Sequence, residues 1–110
     1  ITRDQARRMI ELIPTMDCPA FHSRVGRELN EHYTALLKSY DCRDWMEMTI
    51  SIHAKKRTLL SQKRKFGSVD ERYLKQAEEL LFGELSAALE ISREQVREYV
   101  GAQIENLEAS

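Results

Sequence analysis

The sequence predicts an all-α protein, a compact bundle of about five short helices, on three observations. Apolar residues recur at intervals of three and four along most of the chain. No segment alternates apolar and polar residues over a strand's length. Only four Gly and two Pro occur in 110 residues, so turns are few, and 42% hydrophobic with 32% charged residues suits neither a β-sandwich nor a disordered tail.

The first helix is expected from about Arg3 to Ile13. Thr2 and Gln5 stand in capping-box spacing at its start, Pro14 stops it, and Ala6, Met9, Ile10 and Ile13 form its apolar face. The second covers about Ala20 to Ser39, with Val25, Leu29, His32 or Tyr33, Leu36 and Leu37 inward. Gly26 weakens its first turns by roughly 1 kcal/mol relative to Ala. The third follows Asp41 as N-cap and carries Trp45, Met48, Ile52 and Leu59 or Leu60 on one face to about Lys65, with Phe66-Gly67 as the break.

The fourth helix, about Val69 to Leu89, opens on Ser68 and Glu71 in capping-box spacing. Its apolar stripe is Tyr73, Ala77, Leu80, Leu81, Leu85 and Ala88. The fifth follows Ser92, paired with Gln95 in the same spacing, and buries Val96, Val100, Ile104 and Leu107 before fraying. The lone Trp45 sits on an apolar face and reads as core.

A chain of this length suffices for one domain that buries about two-thirds of its unfolded surface. No linker, repeat or low-complexity stretch suggests an internal boundary, so residues 1–110 are expected to form a single helical domain. The chain begins at Ile1 rather than Met and is expected to be a fragment or processed product. No apolar run in the sequence approaches the roughly 20 residues of a membrane span. Nothing resembles a secretion signal, and the expected location is the cytoplasm. There Cys18 and Cys42 would stay reduced.

The net charge of −1 conceals segregation. From Met48 to Val69 there is no acid, while Lys55, Lys56, Arg57, Lys63, Arg64 and Lys65 are all basic. From Glu78 onward eight glutamates face only Arg93 and Arg97. A basic patch on a nearly neutral domain binds phosphate by releasing counterions, whereas the plain alternative is a solvated helix face. Arg72 and Lys75 extend the patch into the first turns of the fourth helix, where cations are unfavourable to the helix dipole.

Catalysis finds little support. There is no G-x-S-x-G, H-E-x-x-H, P-loop or Gly-rich phosphate cradle, and the carboxylates are scattered along helix faces. Asp17, Cys18 and His22 form no nucleophile constellation because no third orienting group accompanies them. Cys18, His22 and Cys42 match no short paired-ligand zinc spacing. His32 and His53 also lack a partner motif. The chain is expected to have no catalytic residue, metal or cofactor.

The segment D-C-R-D-W-M-E-M at 41–48, the basic helix after it and S-V-D-E-R-Y-L-K-Q-A-E-E-L-L-F-G-E-L-S-A-A-L-E-I-S at 68–92 resemble the C-terminal helical domain of CarD-like transcription regulators. The opening I-T-R-D-Q-A-R-R-M-I-E-L-I-P resembles the start of that domain in clostridial-type members, so the resemblance covers essentially the whole chain. It implies a two-domain regulator. An N-terminal Tudor-like domain, absent from this chain, would bind the RNA polymerase β subunit. The helical domain would hold promoter DNA at the upstream edge of the transcription bubble and stabilise the open complex.

The family sets a Trp into the minor groove as a wedge. The matching stretch here is P-A-F-H-S-R, which makes Phe21 the first candidate and His22 the second. Phenylalanine departs from the family's Trp in lacking an indole N–H to donate. The family's basic DNA contacts carry over to Arg72 and, more loosely, to Arg24, while Arg27, Lys55, Lys65 and Lys75 are added from the charge pattern. Such phosphate contacts imply salt-sensitive, largely sequence-independent binding. The rival reading is a protein-interaction module in which the acidic last helix or the basic third one docks a partner without DNA. Convergence of Phe21 and the bases on one surface separates the two.

Overall fold

The helical periodicity is realised as five α-helices in a computed structural model, which describes residues 1–109. They are α1 (Arg3–Glu11), α2 (Gly26–Leu37), α3 (Cys42–Ser61), α4 (Ser68–Leu89) and α5 (Arg93–Ala109), with a 3-10 turn over Ile13–Thr15 and no strand among the described residues. The all-α class follows the sequence. Three of the helix starts also use the cap chemistry it predicts. Thr2 and Gln5 exchange side-chain to backbone hydrogen bonds of 3.1 and 2.9 Å, and Ser92 and Gln95 do the same at 3.1 and 3.0 Å. Asp41 accepts the Arg43 N–H at 2.9 Å.

Other boundaries differ, each for a local reason. α1 ends at Glu11, and Pro14 lies within the 3-10 turn, where its missing N–H costs nothing. α2 begins at Gly26, not Ala20. The preceding stretch is held off helix by tertiary and local bonds: Ser51 donates to the Pro19 carbonyl at 2.8 Å, and Ser23 accepts the Val25 N–H at 3.1 Å while donating to Glu28 at 2.6 Å. Val25 therefore stands outside the helix and exposed, not inward, and Gly26 occupies the first helical position, where an interior penalty does not arise. α4 begins with the Glu71 N–H bonded to the Gly67 carbonyl at 3.1 Å. Gly67 is thus the cap, and the capping box expected from Ser68 and Glu71 is not formed.

α3 stops at Ser61 because Lys63 adopts φ 56°, which lets the Arg64 N–H reach the Leu59 carbonyl at 2.7 Å and the Lys63 N–H reach Leu60 at 3.0 Å. This is a Schellman turn with lysine at the position that favours glycine. Tyr40 after α2 and Glu90 after α4 are likewise left-handed, whereas no glycine is. A chain so poor in glycine places its helix ends on residues that bear a Cβ penalty.

The contacts divide the chain into two compact units. One contains Ile1–Asp17 and Leu80–Ser110. Its core is Ala6, Ile10 and Ile13 with Leu81, Leu85, Val96, Val100 and Ile104, and α5 packs on α1 and the 3-10 turn. Arg93 lies so close over Gly83 that a Cβ there would stand 2.9 Å from its guanidinium. Leu80, expected in the apolar stripe, is instead exposed, and Phe82 is buried in its place.

The other unit is Cys18–Glu79. Leu29 and Tyr33 of α2, Met48 and Ile52 of α3, and Tyr73, Leu74 and Ala77 of α4 form its core, and Trp45 is buried with its indole N–H on the Leu37 carbonyl at 3.3 Å. Within this unit lies a charged cluster. Tyr33 donates to Asp70 Oδ1 at 2.6 Å, and Lys55 Nζ approaches Oδ1 at 3.0 Å and Oδ2 at 2.9 Å, with the Lys55 and Asp70 side chains only 6% exposed. Burial, and then the carboxylate beside it, push the Tyr33 hydroxyl well above the usual phenol range, so it stays a neutral donor.

Two outcomes follow for stability. Asp70→Ala strands the Lys55 ammonium and should destabilise this unit by about 3–5 kcal/mol in urea unfolding followed on Trp45 fluorescence. Lys63→Gly relieves the left-handed backbone and should raise stability by about 1 kcal/mol in the same assay.

Candidate nucleic-acid interface

The sequence-selected residues all fall within the unit of residues 18–79, yet they do not form one set. Lys55 drops out of the set of residues expected from the sequence to meet phosphate. It is 5% exposed, and its charge is spent on Asp70, because the same helical spacing that put it among bases on α3 turns its side chain to the core. Arg27 pairs with Glu31 at 3.1 Å and Lys75 with Glu71 at 3.9 Å, both exposed one-turn pairs. Such pairs are weak, so these charges are compensated but not locked.

Arg72 is held differently. Its guanidinium donates to Asn30 Oδ1 at 3.1 Å and lies 5.1 Å over the Tyr73 ring. Tyr73 donates to the same Asn30 oxygen at 2.6 Å, and Asn30 donates to the Gly26 carbonyl at 2.8 Å. These partners are neutral. Arg72 is therefore oriented on the surface with its charge intact, which a phosphate contact needs.

Phe21 is not a free ring. It stacks on His32 with centroids 3.9 Å apart and planes 11° from parallel, and it packs against the core cluster. His32 in turn meets Tyr33 edge-on at 5.4 Å. His22, one residue on, is exposed. Of the two rings singled out from the sequence, His22 is the one presented outward and Phe21 the one that fastens the irregular stretch before α2.

His22 and Arg24 line a groove of about 730 Å3 together with Arg64 and Lys65, which follow α3. Leu29, Leu59 and Val69 supply its apolar wall, and Lys55 and Asp70 also line it. Because Lys55 and Asp70 neutralise one another, Arg24, Arg64 and Lys65 remain as uncompensated cations, exposed and without an acidic partner among the described residues. The start of α4 at Gly67 and Ser68 borders the same groove.

Asn30 and Tyr73, which position Arg72, were beyond sequence reading, since an i to i+43 hydrogen bond leaves no local trace. Arg64 was visible as part of the basic run, and only the left-handed turn at Lys63 decides that it faces the groove. Among the described residues no three His, Cys, Asp or Glu side chains come together as metal ligands would, and no helix is long and apolar enough to cross a membrane. No protein-family model, no curated protein and no solved structure matches the chain, so the functional reading rests on its residues.

The Phe21–His32 stack carries a pH signature. Burial holds the His32 imidazole below its ordinary value of 6.5, favouring the neutral ring in the folded state. The unfolded chain thus takes up a proton at higher pH than the folded one. Stability should decline as pH falls through 6.5, and His32→Gln should flatten that decline, as read by urea unfolding on Trp45 fluorescence across the range.

Proposed function

We propose that this chain is the DNA-binding helical domain of a CarD-like transcription regulator. On this reading it is a binding module and not an enzyme. It engages promoter DNA at the upstream edge of the transcription bubble and stabilises the open RNA polymerase complex, with polymerase contacts made by a separate domain. One observation carries the proposal: on a chain of net charge −1, the uncompensated cations Arg24, Arg64 and Lys65 converge on one groove. Arg72, oriented by neutral partners in the same unit, adds a fixed positive charge.

The wedge role passes on this reading from Phe21 to the exposed His22. An imidazole offers a smaller apolar face than Trp but keeps a ring N–H to donate, so contact with a weakened base step is shallower. Phosphate contacts position the domain without reading bases. The inward packing of Phe21 also favours the second reading, a protein-interaction module, because it removes the larger wedge.

Fluorescence anisotropy on DNA with a duplex-to-bubble junction, titrated with salt, tests the proposal. Binding should fall steeply with salt, and Arg72→Glu should weaken it on every sequence while reducing the log–log salt slope by about one. Binding that ignores salt and this variant, or none at low salt, would favour the protein-interaction reading.

A further inference from the structure

The groove has a shape and composition that phosphate contact alone does not require. A duplex presents its phosphates on a convex ridge, and exposed side chains such as Arg72 can meet them without any recess. Here the cations stand instead around an open concavity of about 730 Å3, within the volume range of small-ligand sites but with its mouth wide to solvent. One wall is apolar: Leu29 and Leu59 are core residues that reach the groove, and Val69 is half-buried beside them. A bare inorganic anion has no use for that wall, and an apolar peptide has no use for the uncompensated cations.

The sole acid of the lining, Asp70, is held by Lys55 and Tyr33, so it does not repel an entering anion. His22 stands at the groove with its ring exposed, able to lie against a planar group. A ligand matching all of this has one flat, largely apolar part and one anionic part. Nucleotides have that form, and an unpaired one can lay its base on the apolar wall, which a base stacked within a duplex cannot do.

Building on the DNA-binding reading, we infer that this groove holds one unpaired nucleotide. Its phosphate lies among Arg24, Arg64 and Lys65, and its base rests on Leu29, Leu59 and Val69 beside His22. The domain then prefers single strand to duplex. Binding is weakly base-selective, because stacking and apolar contact accept any base.

The test uses the whole chain and backbone amide NMR, which locates the ligand as well as measuring it. A thymidylate single strand of about six nucleotides, a length within known strand-binding site sizes, is titrated alongside a hairpin duplex, thymidine monophosphate and a Glu-rich peptide. The expected result is tighter binding of the strand than of the duplex, with shifts concentrated at residues 22–24 and 64–69. Arg64→Glu and Lys65→Glu, both exposed and away from the core, should each weaken it about tenfold, the loss expected for a charged hydrogen bond. The monophosphate separates two sources of the same chemistry. If it shifts the same amides and the strand binds more tightly, the nucleotide comes from a strand; if it alone binds there, the groove serves a free nucleotide.

Duplex binding as tight as the strand's, with shifts around Arg72 and none at 64–69, would overturn the groove inference and leave the DNA reading standing. Peptide binding in the groove without any nucleotide arm would overturn both in favour of a protein partner. Failure of every arm at low salt would also remove both.

Discussion

The carboxylate of Asp70 is the point on which the unit of residues 18–79 depends. It gathers a hydroxyl from α2 and an ammonium from α3 onto the first turn of α4, and all three groups are buried. Three apolar side chains of similar volume would serve stability as well, since removing a charge pair from water offsets much of what its attraction returns. What the cluster adds is direction. An apolar contact tolerates sliding, whereas an ion pair with a hydrogen bond satisfies its desolvated groups in only one register.

That register sets the charge pattern outside. With Asp70 turned inward, the start of α4 at Gly67 and Ser68 borders the groove, and Arg72, two residues after Asp70, lies toward α2, where Asn30 receives it, with its guanidinium over the ring of its α4 neighbour Tyr73. The cluster also withdraws Lys55 and Asp70 as a neutral pair, so neither adds net charge to the groove. The remaining bases divide by what stands one turn away. Arg27 and Lys75 pair with glutamates there, while Arg24, Arg64 and Lys65 form no ion pair among the described residues; Glu28, four residues after Arg24, accepts from Ser23 instead. Local pairing therefore leaves a concentrated positive site on a chain whose total charge is near zero.

The stretch between the 3-10 turn and α2 has no regular structure of its own. Its position comes from the Phe21–His32 stack and the Ser51 bond to the Pro19 carbonyl. Aromatic stacking here does for a loop what hydrogen-bond ladders do for a helix. It holds His22 and Arg24 near the groove and explains why the larger ring is turned in while the polar one is turned out. The left-handed residues Tyr40, Lys63 and Glu90 close the helices in the same economical spirit, with ordinary side chains in conformations glycine would occupy more easily.

The sequence by itself determined the helical class, the number of helices and the caps at Thr2, Asp41 and Ser92. Each depends on residues within a few positions of one another, through periodicity or a side chain bonded to a nearby N–H. It also determined most of the core, since the stripes containing Leu29, Ile52, Leu81 and Val100 are buried as their spacing requires. The tertiary structure alone decided that α2 starts at Gly26, that Phe21 faces inward, that Lys55 is consumed by Asp70 and that Arg24 meets Arg64 and Lys65 across a groove. The reason is range. Those outcomes are settled mainly by pairings between different elements, such as Lys55 with Asp70 at a separation of 15 residues and Ser51 with Pro19 at 32, and the energy of burying a charge or stacking a ring depends on partners that one helix's periodicity does not contain.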